Sequence, residues 1–271
     1  MAEDVTPKRI PALVETRGER ARQTSYRLRF GALYVLLAAI VGAGVGSFVV
    51  LASRDAPAAA AAWSSWAPEG SRDASAKQIA DHVSKRYRLP SGDQLAVALV
   101  GPPKVQDVSV RAIAVRPDTS TGQAEDEDVD VVETGKSIMY ILCGLGESCS
   151  IKEGRPTEAR HQLLRREALE LSLYTFKYVD DVESVVVFLP PRADMQVGSS
   201  LFLKKSEVRD ELRRPLRSTL RFGAAPALGQ IDTIELGNID RLTRPRTFQY
   251  EFQQTQEGSA ILVLTPAVLG T

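Results

Sequence analysis

The longest apolar run lies near the N-terminus. From Phe30 to Ser53 the sequence FGALYVLLAAIVGAGVGSFVVLAS contains no charged residue. As an α-helix it would be about 36 Å long, enough to cross a hydrocarbon core of about 30 Å with modest tilt. A core helix of a globular domain is usually shorter and keeps a polar face. A cleaved signal peptide has a shorter apolar stretch, and Ala56-Pro57-Ala58 fits a cleavage site poorly because of Pro57 and the preceding Arg54-Asp55. The pattern therefore predicts an uncleaved transmembrane helix over 30–53.

Beyond it the periodicity changes. Residues 54–72, RDAPAAAAAWSSWAPEGSR, read as an Ala/Pro/Ser linker. Ile79, Val83 and Tyr87 fall at four-residue steps and predict a helix from Ala74 to Arg88, closed by Pro90-Ser91-Gly92. Short apolar or alternating runs predict strands at Gln94–Val100, Val108–Val115, Val129–Val132 and Ser137–Leu142, the last of them central. A long helix is expected from Pro156, suited to a first turn, to Tyr178. Leu163, Leu164, Ala168, Leu171, Tyr174, Thr175 and Tyr178 form its buried face, with Arg160, Arg165, Arg166, Glu167 and Glu170 on the other side. Strands at Ser184–Leu189 and Leu201–Leu203 follow. A helix over Ser206–Leu220 carries parallel Val/Leu and Arg stripes, kinked or divided at Pro215. Strands Thr247–Phe252 and Ala260–Leu264 close the chain as a hairpin through Gln256-Glu257-Gly258. No repeat and no regular βαβ alternation is present. The pattern predicts an α+β domain over 73–271, a mostly antiparallel sheet with two or three packed helices, preceded by one transmembrane helix.

Charge sets the orientation. Lys and Arg number 34, as do Asp and Glu, so the net charge is zero. The basic residues are uneven: Arg17, Arg20, Arg22, Arg27 and Arg29 precede the apolar run closely, and only Arg54 and Arg72 follow at similar distance. Basic flanks stay cytoplasmic, so residues 1–29 form an inner tail and the C-terminal domain is extracytoplasmic. Trp63 and Trp66 would then stand near the outer headgroups. Gly42 and Gly46 place small residues on one helix face, which allows pairing with a second copy or another membrane helix. Nothing is basic enough over a long stretch to read as a nucleic-acid surface.

The exported placement decides the reading of Cys143 and Cys149, the only cysteines. A close pair in an oxidising compartment is most simply a disulfide across a turn, with Gly144 and Gly146 allowing the reversal. A Cys143–His161 nucleophilic pair would lose its thiol to that bridge. No Walker loop, dinucleotide turn, His-Glu-x-x-His helix or Gly-x-Ser-x-Gly elbow occurs, so no cofactor, metal or catalytic residue is called for. The acidic run Glu125–Asp130 lacks the spacing of a calcium loop and reads as solvated. Arg209, Arg213, Arg217 and Arg221, beside Lys204 and Lys205, form a basic patch that fits an anionic surface, or else a solvated face over the core.

At Leu142-Cys143-Gly144-Leu145-Gly146, and again from Leu164 through Arg165-Arg166-Glu167-Ala168 to Tyr178, the chain resembles uncharacterised single-pass membrane proteins of actinomycete-type bacteria. The basic tail, the early membrane helix and Trp63-Ser64-Ser65-Trp66 agree with it. The resemblance implies a source class and carries no activity. The expectation is a cell-envelope interaction or assembly domain anchored in the lipid bilayer and engaging an envelope or membrane protein. The alternatives are a membrane-anchored hydrolase or thiol enzyme, and a binder of anionic lipid or wall polymer.

Overall fold

A computed structural model describes residues 30–44, 62–101, 104–105, 108–118, 128–152, 155–191, 199–221 and 224–267. The chain divides into two units, Met1–Ala61 and Ala62–Thr271. In the first, residues 30–44 form helix α1, exposed throughout. Among the described residues no helix is long and apolar enough to cross a membrane. Residues 45–53 of the predicted span, Gly46 among them, lie outside the described residues, as do the basic tail and the first half of the acidic run. Gly42 lies on α1, where an added Cβ would meet nothing within 4 Å.

The second unit is α+β. Its helices are α2 (Arg72–Ser84), α3 (Glu158–Tyr178), α4 (Arg209–Arg213) and α5 (Thr233–Thr243). Its strands are β1 (Val97–Gly101), β2 (Lys104–Val105), β3 (Val108–Val115), β4 (Asp130–Glu133), β5 (Ser137–Cys143), β6 (Ser184–Phe188), β7 (Ser199–Lys204), β8 (Thr247–Gln254) and β9 (Ala260–Pro266). They join in one nine-stranded sheet of order β1-β5-β6-β7-β8-β9-β3-β2, with β4 paired to β3. Only β5–β6 and β3–β9 are parallel; the other pairs are antiparallel. A parallel pair needs a crossover, and α3 supplies it between β5 and β6.

The two faces of the sheet are buried differently. Ile138, Tyr140 and Leu142 of β5, Val185 and Val187 of β6, and Leu201 and Leu203 of β7 join the helices in the main core. Met139, Val186, Phe188 and Phe202, pointing the other way, form a second core with Val110, Ile113, Phe248, Leu262 and Leu264. No helical residue enters that cluster, so strands cover strands there. This double burial explains why Ser184–Phe188 is a continuous β-branched run with no polar alternation.

Several elements depart from the sequence expectation. Helix α2 stops at Ser84, because the next residues turn inward. Tyr87 is fully buried, and Pro90 disfavours helical backbone at Leu89. Pro156 falls outside α3: Thr157 is the N-cap, and its side chain accepts from the Arg160 N–H. Trp63 sits in the core instead of near headgroups. It donates to the Glu211 carbonyl at 3.1 Å and meets Tyr174 and Tyr178 edge-on. Trp66 stacks on His82 at 3.8 Å. The folded unit thus begins at Ala62, within the predicted linker. Pro215 divides the predicted Ser206–Leu220 helix into α4 and a 3-10 turn at Leu216–Ser218. Helix α5, capped by Asp232 at the N–H groups of Ile234 and Glu235, was not anticipated.

Candidate functional site

The charged side of α3 was expected to face water. It does not: Arg160, Arg165, Arg166, Glu167 and Glu170 are all buried, because α2 and α5 pack over it. Arg166 binds Glu235 of α5 at 2.7 Å, Glu170 at 3.2 Å and the Tyr87 hydroxyl at 2.5 Å. Tyr87 donates to Glu170 at 2.6 Å, and Arg86 also pairs with Glu170. Arg165 holds Asp240 at 2.7 Å and Thr243 at 3.1 Å. Burial alone would weaken the Arg166 charge, but Tyr87, Glu170 and Glu235 more than offset it, and its pKa rises. Burial, then Glu170, pushes the Tyr87 hydroxyl well up. Two cations, Arg86 and Arg166, balance two carboxylates, Glu170 and Glu235. That leaves Glu167, fully buried with neither carboxyl oxygen hydrogen-bonded, and burial with Glu170 nearby drives its pKa well above the usual carboxylate range. Burial thus favours its neutral, protonated form. With Arg165, Arg166, Glu167, Glu170 and Glu235 buried, the cluster acts as a polar lock between helices.

Cys143 and Cys149 form a disulfide with Cα atoms 4.4 Å apart. The turn they close is tight: a Cβ on Gly144 would come within 2.2 Å of the Ser150 carbonyl oxygen. Only glycine fits there. Both sulfurs are committed, so neither serves as a thiol nucleophile. The loop borders a cleft of about 380 Å³ at the start of α3, where Thr157, Arg160 and His161 face Leu189, Pro190 and Pro191. Burial lowers the Arg160 pKa.

The larger cleft, about 910 Å³, lies where β4 approaches the β7–α4 connection. Lys204 ends β7, Lys205 opens a 3-10 turn that runs into α4, and Arg209 and Arg213 follow on α4; all four line the cleft, with Lys136 from the turn before β5. Lys136 pairs with Glu183 at 2.6 Å, which raises its pKa, and Lys204 pairs with Asp130. Arg213 stands 3.7 Å from Asp210. Lys205 and Arg209 make no ion pair among the described residues. Glu133 and Glu183 also line the cleft, beside Val131, Val132 and Leu212.

The sequence-derived basic stripe is thereby split. Arg209 and Arg213 enter the cleft. Arg217 lies on the 3-10 turn after Pro215, and Arg221 pairs with Asp232 at 2.8 Å. The accompanying Val208, Leu212 and Leu220 are buried despite the broken helix. Lys136 and β4 were not foreseen at this site; they come from about seventy residues upstream, and no local pattern marks them. Among the described residues no group of three His, Cys, Asp or Glu is placed to hold a metal. No protein-family model, curated protein or solved structure matches the chain.

Proposed function

We propose that the chain is a single-pass membrane protein whose extracytoplasmic domain is an interaction or assembly module of the cell envelope. The observation that carries the interaction reading is the 910 Å³ cleft beside β4, open to solvent and walled by cations, carboxylates and valines. Apolar side chains with polar and charged groups around them match the apolar-core, polar-rim layout of a protein-binding surface. Three features support the placement. The uncharged run Phe30–Ser53 is long enough to span, its Arg-rich flank precedes it, and the domain carries a disulfide suited to an oxidising compartment. Two measurements test the reading separately. External protease on intact spheroplasts should digest the domain and spare a tag on residue 1; digestion of the tag first would reverse the topology. Crosslinking in intact cells, read by mass spectrometry, should recover specific envelope proteins bound through the domain. Recovery of lipid alone, or of nothing, would remove the interaction role.

A further inference from the structure

The cleft beside β4 brings three features together. Among the described residues β4 pairs only with β3, so one of its edges carries backbone N–H and C=O groups outside the ladder. The strand contributes Val131 and Val132 to the cleft, and Val131 is 64% exposed. The wall also carries five cations against Glu133 and Glu183, and of these Lys205 and Arg209 have no acidic partner among the described residues. An unpaired edge is normally blunted or covered. Here it borders a basic trough.

We infer that the cleft holds an extended acidic segment of a partner protein, added as a strand along the free edge of β4. Main-chain hydrogen bonds to β4 would supply affinity, and side chains at alternate positions would supply specificity. In an extended strand successive side chains point to opposite faces. A segment alternating acidic and β-branched residues can therefore set its carboxylates against Lys205 and Arg209 while its apolar side chains, on the opposite face, meet the exposed Val131. β4 has four residues, so the docking is short and the affinity modest. A lipid headgroup suits the site less well. It has no use for a backbone edge or for the exposed Val131 beside it. The inference rests on the interaction reading above and adds the chemistry of the partner to it.

The test uses the full-length chain in zwitterionic detergent and a fluorescein-labelled octapeptide alternating Glu and Val, followed by anisotropy. The peptide should bind saturably. The double reversal Lys205→Glu/Arg209→Glu should weaken it at least about tenfold, and raising salt should weaken it as well. Arg217→Glu, the same kind of charge change outside the cleft, should alter it less than about twofold. Methylating alternate backbone nitrogens of the peptide should cost at least about tenfold, because those N–H groups would join the ladder. Equal losses in the cleft and Arg217 variants would reduce the effect to long-range charge and overturn the site. Indifference to N-methylation would overturn strand addition. Binding of anionic vesicles, lost in the double variant, with no binding of the peptide, would make the cleft a lipid site and overturn the proposal. Absence of peptide binding alongside specific envelope crosslinks elsewhere on the domain would remove this inference and leave the interaction reading standing.

Discussion

Arg165 and Arg166 on α3 carry the same side chain as Arg209 and Arg213 on α4, yet they live in opposite environments. The α3 pair is 1% exposed, and its guanidinium groups are spent on Asp240, Glu235, Glu170, Tyr87 and Thr243. The α4 pair lines an open cleft, and Arg209 has no ion pair among the described residues. Length and neighbours make the difference. The 21 residues of α3 run between the sheet on one side and α2 and α5 on the other, so even its polar face is covered. Five-residue α4 is covered only along the side of Glu211 and Leu212. The comparison shows that an Arg-rich stripe reports helical phase and says nothing about which elements close over it.

The contrast can be broken most sharply at Arg166. Arg166→Met leaves Glu235 buried without a cation and Glu170 with Arg86 alone, and breaking a buried pair in this way costs about 3–5 kcal/mol. Thermal unfolding followed by circular dichroism should show a large fall in Tm; a small fall would mean water reaches the cluster. The disulfide gives a covalent reference for scale. Cys149→Ser should cost about 2 kcal/mol, the chain-entropy value for a short loop, in the same assay. A loss rivalling that of Arg166→Met would mean the bridge braces more than its own turn.

Glu167 tests the lock in the opposite direction. An acid whose pKa is raised by folding binds its proton more tightly in the folded chain. Its contribution is fully present below the ordinary carboxylate value of 4.5 and is lost as pH rises toward the raised value. Glu167→Met should flatten that loss and stabilise the protein at neutral pH by about 1 kcal/mol, since both carboxyl oxygens lack a partner. Denaturation curves across that pH range would check it; an unchanged slope would mean Glu167 is not the neutral acid. The smallest effect belongs to the cleft. Lys205→Ala and Arg209→Ala should shift stability by less than about 0.5 kcal/mol. A larger loss would show that these cations hold the fold and would take the binding site away.

Much of the fold was legible in the residues. The period-two and continuous apolar runs marked β3, β5, β6, β8 and β9 to within a residue or two, and apolar residues recurring at three and four positions marked α3. Those signals are local, set by which side chains share a face. Pro215 broke the basic helix for a local reason too, since it lacks an N–H and clashes with the preceding turn. Helix α5 escaped because Gly237 and Asn238 dilute a short apolar pattern, although its Asp232 cap was visible. The cleft was legible only in part. Lys204, Lys205, Arg209 and Arg213 are neighbours in sequence, but Lys136, Glu133 and Val131 join them only through the sheet.

The sequence by itself determined every strand but the two-residue β2, the long helix, the tight Cys143–Cys149 turn with its glycines and the uncharged run Phe30–Ser53. Each depends on residues close together along the chain, through periodicity, steric freedom or hydropathy. Tertiary structure alone decided that the polar face of α3 is interior, that Trp63 belongs to the core and that the basic stripe divides between a cleft and an ion pair. Burial depends on what packs from elsewhere in the chain, and a charge enters the interior only where distant residues such as Tyr87 and Glu235 arrive to satisfy it.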